Sequence, residues 1–275
     1  MIRIKRRLLN LWLLDYTLPQ LWEWIRLKVK SRKAPPIPSL SAHPPRDEAR
    51  FFDRIVVISL PFRTDRREDV RRRMSRLQLP FTFFEAIHGR SARLSPSDER
   101  LFSPLAKRYL SPGSIGCALS HVRVWQQTVE RGGVGCLVLE DDALLPDSFA
   151  EDLRRWLPEV PPDFDILFLG SGKTAPGDIR RFVSQHVFEP FYPREGMYAY
   201  VVSARGAKNL LTNLFPIHLA NGGIDTAVGK LVRQRRLRAY HFLPVLCRAD
   251  LASPSNVPNP GGKAKVLDER EETDG

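Results

Sequence analysis

The chain has 275 residues, of which 43% are hydrophobic and 27% are charged. This composition is ordinary for a globular protein with a sizeable core, built as one large α/β domain with tails or as two small domains. The formal net charge of +12 and the pI near 10.0 favour an anionic partner: nucleic acid, an acidic membrane surface or a phosphorylated substrate. The three cysteines have no CxxC spacing. We interpret them as reduced thiols in a cytosolic protein.

The N-terminal residues 1–33 carry more than half of the excess charge. They hold nine Lys and Arg against two acids, a net charge of +7. Their apolar runs fall short of the roughly 20 residues of a transmembrane helix, and no signal-peptide cleavage site follows. Trp12, Trp22 and Trp24 among basic residues predict an amphipathic segment on an anionic membrane surface; a helix packed on the domain and a disordered basic arm are the alternatives. Since this charge lies outside the folded domain, no nucleic-acid partner is expected.

Changes in composition divide the rest of the chain into three parts. Residues 34–50 are rich in proline and predict a semi-extended linker. The folded domain is expected to span residues 51–249. Residues 250–275 are polar and charged, and are expected to be disordered.

The first elements of the domain predict a strand–helix–strand unit. Arg54–Leu60 is an apolar strand, Asp65–Leu79 is a charged helix with one apolar face, and Phe81–Ala86 is a second strand. This order implies that the two strands are parallel. Arg63 and Arg66 lie where the first strand meets the helix, and a diphosphate could bind there; a solvated basic helix end is the simpler interpretation of either arginine alone.

A long irregular stretch, His88–Pro112, precedes a helix that is predicted over Ile115–Glu130. Loops of this length inside a compact domain are typically functional or mobile. The helix carries Ser120 and His121. A lone histidine on a helix is more often structural than catalytic.

The next apolar run ends in three consecutive acids. Cys136–Leu139 predicts a buried strand, and Glu140, Asp141 and Asp142 follow it. In open α/β sheets ligands bind outside the carboxyl ends of the strands, and adjacent carboxylates repel one another unless a cation lies among them. We therefore predict a Mn²⁺ or Mg²⁺ site here, with substrate phosphates as further ligands. The alternative is an acidic start to the helix predicted over Phe149–Leu157.

The remainder of the domain continues to alternate strands and helices. Residues 174–195 are expected to form a loop. The order of the elements predicts an α/β fold with a mostly parallel central sheet flanked by helices. The predicted strands are Asp165–Gly170, Met197–Val202 and Arg238–Leu243, and the predicted helices are Ala204–Leu214 and Asp225–Arg236.

Four motifs occur in a fixed order along the domain. They are Ile58-Ser59-Leu60 with Arg63, Asp65 and Arg66; Glu85-Ala86-Ile87-His88-Gly89; the run from Leu110 to Ser120-His121; and Leu137-Val138-Leu139-Glu140-Asp141-Asp142. Together they resemble glycosyltransferase family 25, the family of bacterial lipooligosaccharide galactosyltransferases and glucosyltransferases and of the collagen galactosyltransferases. The resemblance continues to Gly196–Tyr200, Gly206-Ala207 and Asp225, and covers about residues 53–248.

The resemblance implies a GT-A type α/β fold and inverting transfer of a hexose, usually galactose or glucose, from a UDP-sugar. It also implies a divalent metal, usually Mn²⁺, held by the acidic motif against the diphosphate. The family usually has Asn at the position of Ser59 and Asp at that of His88, so this chain departs from the pattern near the expected nucleotide site. The residues expected to bind the nucleotide sugar are Ser59, Leu60, Arg63, Arg66, Gly89, Glu140 and Asp141.

The expected mechanism is a single displacement. Asp142 is the predicted main metal ligand, with Asp141 or Glu140 assisting and His241 as a candidate third ligand. Asp225 is the candidate catalytic base, with an ordinary helix N-cap as the alternative. Supporting roles are expected for Ser120, His121 and Tyr198.

The expected acceptor is a glycolipid or another glycan, such as a lipooligosaccharide or lipopolysaccharide core. Residues 1–33 would then hold the protein at the cytoplasmic face of the cell membrane. Two alternatives from other classes stay open. A basic protein with clustered carboxylates could be a metal-dependent nuclease or phosphoryl-transfer enzyme. The fold could also serve as a non-catalytic, membrane-associated glycan-binding module.

Overall fold

The computed structural model describes residues 48–170, 178–191, 197–218 and 223–250. The predicted amphipathic segment 1–33 and nearly all of the linker and tail lie outside these residues, so their predicted roles stay predictions. Phe51 and Phe52 are buried, which agrees with a folded domain that begins near residue 51. No helix within the described ranges is long and apolar enough to cross a membrane.

A mixed eight-stranded sheet forms the centre of the domain, in the order β2-β1-β3-β8-β5-β9-β7-β6. Strands β7 and β8 run opposite to the other six. Two further short strands, β4 and β10, pair antiparallel beside it. The strands are β1 (Arg54–Ser59), β2 (Thr82–Glu85), β3 (Gly135–Glu140), β4 (Ala143–Leu144), β5 (Ile166–Phe168), β6 (Ile179–Phe182), β7 (Val187–Pro190), β8 (Ala199–Ser203), β9 (Ala239–Phe242) and β10 (Arg248–Ala249).

Helices cover both faces of the sheet. They are α1 (Thr64–Arg76), α2 (Pro96–Glu99), α3 (Pro104–Tyr109), α4 (Pro112–Glu130), α5 (Phe149–Trp156), α6 (Ala204–Asn213) and α7 (Ile224–Arg233). Serine side chains cap the N-termini of several helices. The hydroxyl of Ser111 accepts a hydrogen bond from the N–H of Ser114 at 3.1 Å, and that of Ser203 accepts one from the N–H of Gly206 at 3.0 Å. Such caps satisfy helix N–H groups that have no partner within the helix.

The alternation of side chains along the strands divides the core into two layers. One layer packs the sheet against α4, α6 and α7, and contains Trp125 and Tyr200, both fully buried. The other packs it against α1 and α5, and contains Met74 and Phe149. Successive residues of a strand point to opposite faces, so one apolar strand serves both layers.

The predicted α/β class, with a large central sheet flanked by helices, is confirmed. The strand–helix–strand unit is also present, because β1 pairs with β2 and β3 in parallel. One expectation was wrong in detail: part of the predicted loop over residues 174–195 forms the hairpin β6–β7. The mostly parallel sheet is mixed, because the central strand β8 runs antiparallel to both of its neighbours.

Candidate active site

The acidic triplet lies at the carboxyl edge of the sheet, as predicted. Glu140 is the last residue of β3, and Asp141 and Asp142 form the turn that leads into β4. Strand β10 pairs with β4, and the N–H of Asp250 donates to the carbonyl oxygen of Asp142 at 2.8 Å. The end of the described domain therefore folds back and fixes the acidic turn.

Asp141 joins three elements through its carboxylate. The hydroxyl of Ser59, at the end of β1, donates to Oδ2 at 2.8 Å. The guanidinium of Arg66, in the first turns of α1, donates to Oδ1 at 2.7 Å, and both partners of this ion pair are largely buried. Each oxygen of Asp141 thus already accepts a strong hydrogen bond. This geometry is that of a brace between β1, α1 and β3, and it leaves Asp141 a weaker candidate for a metal ligand than its neighbours.

Asp142 is bonded differently from Asp141. Its Oδ1 atom is buried and has no hydrogen-bond partner among the described residues. Burial, followed by the charges of Glu140 and Asp141, raises the pKa of Asp142 to about 8. Burial and the charge of Asp141 likewise raise the pKa of Glu140 to about 7. A buried carboxylate oxygen without a partner is costly, and a divalent cation is a ligand that would satisfy it. The residues present therefore fit the predicted hard-cation site.

Glu140 is held from the other side by a buried hydrogen-bond chain. Its Oε1 atom lies 3.0 Å from Nε2 of His121, in α4. Nδ1 of the same ring lies 2.9 Å from the hydroxyl of Tyr200, in β8. Nε1 of Trp125 donates to that hydroxyl, also at 2.9 Å. The chain connects the edge of the site to the centre of the core.

One placement of hydrogens satisfies every member of this chain. The indole of Trp125 can only donate, so the oxygen of Tyr200 accepts from it and donates its own hydrogen to Nδ1 of His121. The Nε2–H group of His121 then donates to Glu140. Burial lowers the pKa of His121 to about 4, against a smaller opposing effect from the charge of Asp225, so this imidazole is neutral. His121 thus links Glu140 to the core, and its predicted role in bracing the site stays a prediction.

A thiol completes this side of the site. Cys117 lies one helical turn before His121, and its Sγ atom is 4.0 Å from Oε1 of Glu140. The ligand atoms of Cys117, His121 and Glu140 all lie within 4.8 Å of one another. Burial, and then the charges of Glu140 and Asp225, raise the pKa of this thiol well above its ordinary value.

Asp225 lies close enough to these groups to interact with them electrostatically. It is the second residue of α7, and Gly223 rather than Asp225 occupies the N-cap position. Burial and the charge of Glu140 raise the pKa of Asp225 to about 6, and a hydrogen bond from the backbone N–H of Met197 opposes this. The structure therefore brings the candidate base to the same edge as the acidic triplet, although the two are 83 residues apart or more in the sequence.

The loop after β2 is anchored on α4. The N–H of Ile87 donates to the hydroxyl of Ser120 at 2.8 Å, and this hydroxyl donates to the carbonyl of Gly116 at 2.7 Å. The backbones meet so closely that a Cβ atom on Gly89 would lie 1.8 Å from the carbonyl oxygen of Pro112. Only glycine fits such an approach. Gly89 thus has a structural reason to be glycine, and Ser120 connects the loop to α4.

Three other predicted residues lie at the margin of the candidate active site or away from its centre. Leu60 directly follows Ser59, and its carbonyl accepts the N–H of Arg63 at 3.1 Å. The largely buried side chain of Arg63 makes a bidentate pair with Asp65, at 2.8 and 3.0 Å, rather than with the acidic triplet. The hydroxyl of Tyr198 donates to the carbonyl of Cys247 at 3.4 Å and so supports the returning C-terminal segment.

His241 is not brought to the acidic turn. It lies in β9, three strands from β3, which corresponds to about 14 Å across the sheet. Its ring stacks on Phe188 and Phe168, with centroid distances of 4.9 and 6.0 Å, and its Nδ1–H donates to the carbonyl of Phe242. The metal role predicted for His241 therefore has no geometric support.

Sequence reasoning missed three residues of the site: Cys117, Trp125 and Tyr200. Cys117 and Trp125 flank His121 at a spacing of four residues on α4, so helical periodicity could have placed all three on one face. Tyr200 could not have been found in this way, because its contact with α4 depends on the position of β8 beside β3.

The fold and the site define a class of protein: an α/β protein with a carboxylate cluster at the carboxyl edge of its sheet. Comparison with known proteins identifies the family. The model of glycosyltransferase family 25 (LPS biosynthesis protein) matches residues 52–225. The chain belongs to glycosyltransferase family 25, so the predicted family is confirmed.

Two curated relatives illustrate the similarity. Procollagen galactosyltransferase 1 of Danio rerio is 29% identical over 200 residues, which is 68% of this chain and 33% of that protein. Inactive glycosyltransferase 25 family member 3 of Homo sapiens is 31% identical over 150 residues, which is 50% of this chain and 25% of that protein. The chain thus spans about one third of the length of these relatives or less.

A solved structure was also found, that of a glycosyltransferase involved in the glycosylation of the major capsid of PBCV-1. It is 14% identical and covers 59% of this chain and 66% of its own, with a TM-score of 0.32. This score is too low to support an argument from shared structure.

Proposed function

We propose that this protein transfers a hexose from a UDP-sugar to a glycan acceptor, with inversion at the anomeric carbon and with the help of a divalent cation. The observation that carries the proposal is the buried Oδ1 of Asp142 beside Glu140, at the carboxyl edge of the sheet, which has no hydrogen-bond partner in the described part of the chain. Sugar diphosphates bring negative charge to an edge that is already acidic, so a bridging cation is needed between the two.

Asp142 is our candidate for the first ligand of Mn²⁺ or Mg²⁺, and Glu140 for the second. Asp141 ranks below both, because Ser59 and Arg66 already occupy its oxygens. A bound cation would neutralise the charge that develops on the leaving diphosphate. The protein's contribution is to hold the acidic turn rigidly, through Asp141 on one side and the His121 chain on the other.

Asp225 is our candidate for the catalytic base. Its pKa of about 6 leaves the carboxylate mostly ionised at neutral pH but basic enough to accept a proton. In the proposed step the acceptor oxygen attacks the anomeric carbon, and its hydroxyl proton passes to the Asp225 carboxylate. The bond between that carbon and the diphosphate oxygen breaks, and UDP leaves with the electron pair.

The nucleotide is proposed to lie over the ends of β1 and β2. Ser59, Leu60 and Gly89 line this edge, and Arg66 adds positive charge beside Asp141. Arg63 is assigned the role of stabilising the turn between β1 and α1, because its guanidinium pairs with Asp65.

Galactose is the first candidate for the donor sugar, since the Danio rerio relative is named a procollagen galactosyltransferase; glucose is the second. The family description names LPS biosynthesis, which makes a lipooligosaccharide or lipopolysaccharide glycolipid the first candidate acceptor. Residues 1–33 would place the enzyme as a peripheral protein on an anionic membrane face, close to such an acceptor.

The test is hydrolysis of a panel of nucleotide sugars by the purified full chain, without acceptor, in Mn²⁺ or in EDTA. Slow release of UDP from one donor, in Mn²⁺ only, is the expected result. Release that is unchanged in EDTA would contradict the metal assignment.

UDP binding, measured by calorimetry with and without Mn²⁺, separates a strict requirement for acceptor from a lost activity. This control matters because a relative carries the name of an inactive family member. Metal-dependent UDP binding without hydrolysis would point to acceptor dependence. The absence of both would favour a non-catalytic module and overturn the proposal.

A further inference from the structure

Cys117 has no role in the proposed transfer reaction. This free cysteine is half-buried at the start of α4, and its sulfur faces Glu140 across a distance of 4.0 Å. The neutral imidazole of His121 is its neighbour one helical turn further on and faces the same carboxylate at 3.0 Å. Sulfur, nitrogen and oxygen ligands from two elements thus converge on one point beside the acidic turn.

The spacing of these atoms fits a small tetrahedral cation. Zinc binds nitrogen and oxygen at about 2.0 Å and sulfur at about 2.3 Å, so neighbouring ligand atoms lie roughly 3.5 Å apart. Here Glu140 lies 3.0 Å from the imidazole and 4.0 Å from the thiol, and all three ligand atoms lie within 4.8 Å of one another. Small side-chain movements are enough to reach ideal geometry.

We propose that Cys117, His121 and Glu140 form a second metal site, selective for a thiophilic divalent cation such as Zn²⁺. It is distinct from the hard-cation site assigned to Asp142. A thiolate and an imidazole favour zinc and cobalt, whereas Mn²⁺ and Mg²⁺ prefer oxygen ligands. The charge of Asp225 acts on both Cys117 and His121, which adds to the attraction for a cation.

Binding requires a defined movement of protons. The thiol of Cys117 loses one proton to solvent and the thiolate binds the metal. The Nε2 proton of His121 leaves to solvent as the metal binds, and Nδ1 takes up one proton from solvent, so the ring stays neutral. The Nδ1–H group then donates to the oxygen of Tyr200, 2.9 Å away, and the Tyr200 hydroxyl turns from donor to acceptor in this contact. Such a partner behind a metal-bound histidine is a common feature of metal sites. With Glu140 ionised, two ligand charges balance the two charges of the cation.

Occupancy of this site would oppose sugar transfer. Glu140 belongs to both sites, and a thiophilic cation would draw its carboxylate towards α4 and away from Asp142. Low concentrations of Zn²⁺ should therefore inhibit the enzyme in the presence of excess Mn²⁺. Binding itself does not depend on the transfer reaction, so it can be measured without any sugar donor.

The test is titration of the full chain with Co²⁺ alone, followed by absorption spectroscopy. A thiolate ligand produces a near-ultraviolet sulfur-to-cobalt charge-transfer band that oxygen ligands cannot produce. We expect this band at one Co²⁺ per chain in the wild type, and its complete loss in Cys117→Ser. The matched control is Cys247→Ala, which removes a buried thiol that belongs to no such ligand cluster within the described ranges and should keep the band.

Two results would overturn the proposal: no charge-transfer band in the wild type, or an undiminished band in Cys117→Ser. Thermal melting shows whether this variant is folded, and Cys117→Ala provides a second variant if it is not. Asp142→Asn should keep the band. A retained band together with absent Mn²⁺-dependent UDP binding would leave the thiophilic site standing while the proposed function fails.

Discussion

Two glutamate–histidine pairs in this molecule have similar geometry and opposite electrostatics. At the candidate active site, Glu140 lies 3.0 Å from Nε2 of His121. On the flank of the domain, Glu159 lies 2.6 Å from Nδ1 of His186 in the β6–β7 hairpin. The pKa of Glu140 is raised to about 7, by burial and by Asp141, whereas that of Glu159 is lowered.

The difference comes from what surrounds each carboxylate. Burial by itself would raise the pKa of Glu159, but hydrogen bonds from the side chains of His186 and Ser184 and from the backbone N–H of His186 outweigh it. The ring of His186 also stacks on Trp156 at 4.5 Å. Glu140 instead has two further acids beside it, and His121 stays neutral because it is fully buried.

The flanking pair is therefore a satisfied hydrogen-bonded pair that attaches a hairpin to the domain. The pair at the site belongs to a cluster whose negative charge is not balanced by the described residues around it. Such a cluster costs folding free energy and is expected where a ligand supplies the missing charge. The surroundings of a glutamate–histidine pair therefore distinguish a structural pair from a functional one more clearly than the residue types do.

The largest expected effect comes from replacing Asp142, whose buried Oδ1 atom has no hydrogen-bond partner among the described residues. Asp142→Asn should lower turnover by about 100-fold or more, because it removes the proposed first metal ligand. The measurement is kcat with the donor identified from the panel. Asp147→Asn is the control, since Asp147 is exposed and its ion-pair partner among the described residues is Arg76. Full activity of Asp142→Asn would show that Asp142 does not bind the metal.

Removal of the proposed base should have the next largest effect. Asp225→Asn should lower kcat by about 10²- to 10⁴-fold, the usual contribution of a general base, while Mn²⁺-dependent affinity for UDP is retained. Calorimetry with UDP and steady-state kinetics measure the two quantities. Asp163→Asn, at an exposed position, is the control. Equal losses of UDP affinity and of kcat would instead indicate a role in binding or folding.

The pH dependence of stability should reveal the unbalanced charge directly. Between pH 6.5 and about 8 the unfolded chain has lost the protons of Glu140 and Asp142, whereas the folded protein still holds part of them. Folded protein binds more protons, so stability must fall as pH rises through this window. His121 and His241, with pKa values lowered from 6.5 to about 4, affect stability mainly below this pH window.

This fall is measured as the Tm in EDTA between pH 6.5 and 8. A change of about 1 kcal/mol shifts Tm by about 2–4 °C in a chain of this size, so a decrease of a few degrees is expected. Mn²⁺ should reduce the decrease, and Asp142→Asn should flatten it. A Tm that rises across the window in EDTA would contradict the assigned pKa directions.

The smallest effect is expected at the flanking pair. His186→Gln should cost about 1 kcal/mol or less, because the pair is partly exposed, and should leave turnover unchanged. Thermal melting and the donor hydrolysis assay check the two parts. His218→Gln, at an exposed position, serves as the control. A loss of turnover in His186→Gln would show that the flank is coupled to the site.

Much of the local structure could be predicted from the sequence. The apolar run that ends in Glu140, Asp141 and Asp142 predicted a buried strand, which is present, and it placed the three acids at the edge of the sheet, because a strand delivers its last residues there. The cation site at this position stays a proposal. The helix with Ser120 and His121 was also correct, although it begins earlier, at Pro112. The hairpin β6–β7 was missed because its strands are short and mix charged with apolar residues.

The sequence alone thus determined the class of fold, the family and the segment that carries the acids, since these follow from periodicity and from motifs that are contiguous in the chain. The tertiary structure decided which carboxylate oxygen lacks a partner among the described residues. Ser59 and Arg66, from other elements, donate hydrogen bonds to the two oxygens of Asp141, whereas Oδ1 of Asp142 has no such partner there. It also placed His241 three strands away, which no local pattern could show. The physical reason is that hydrogen-bond partners and strand order are set by packing between segments distant in sequence.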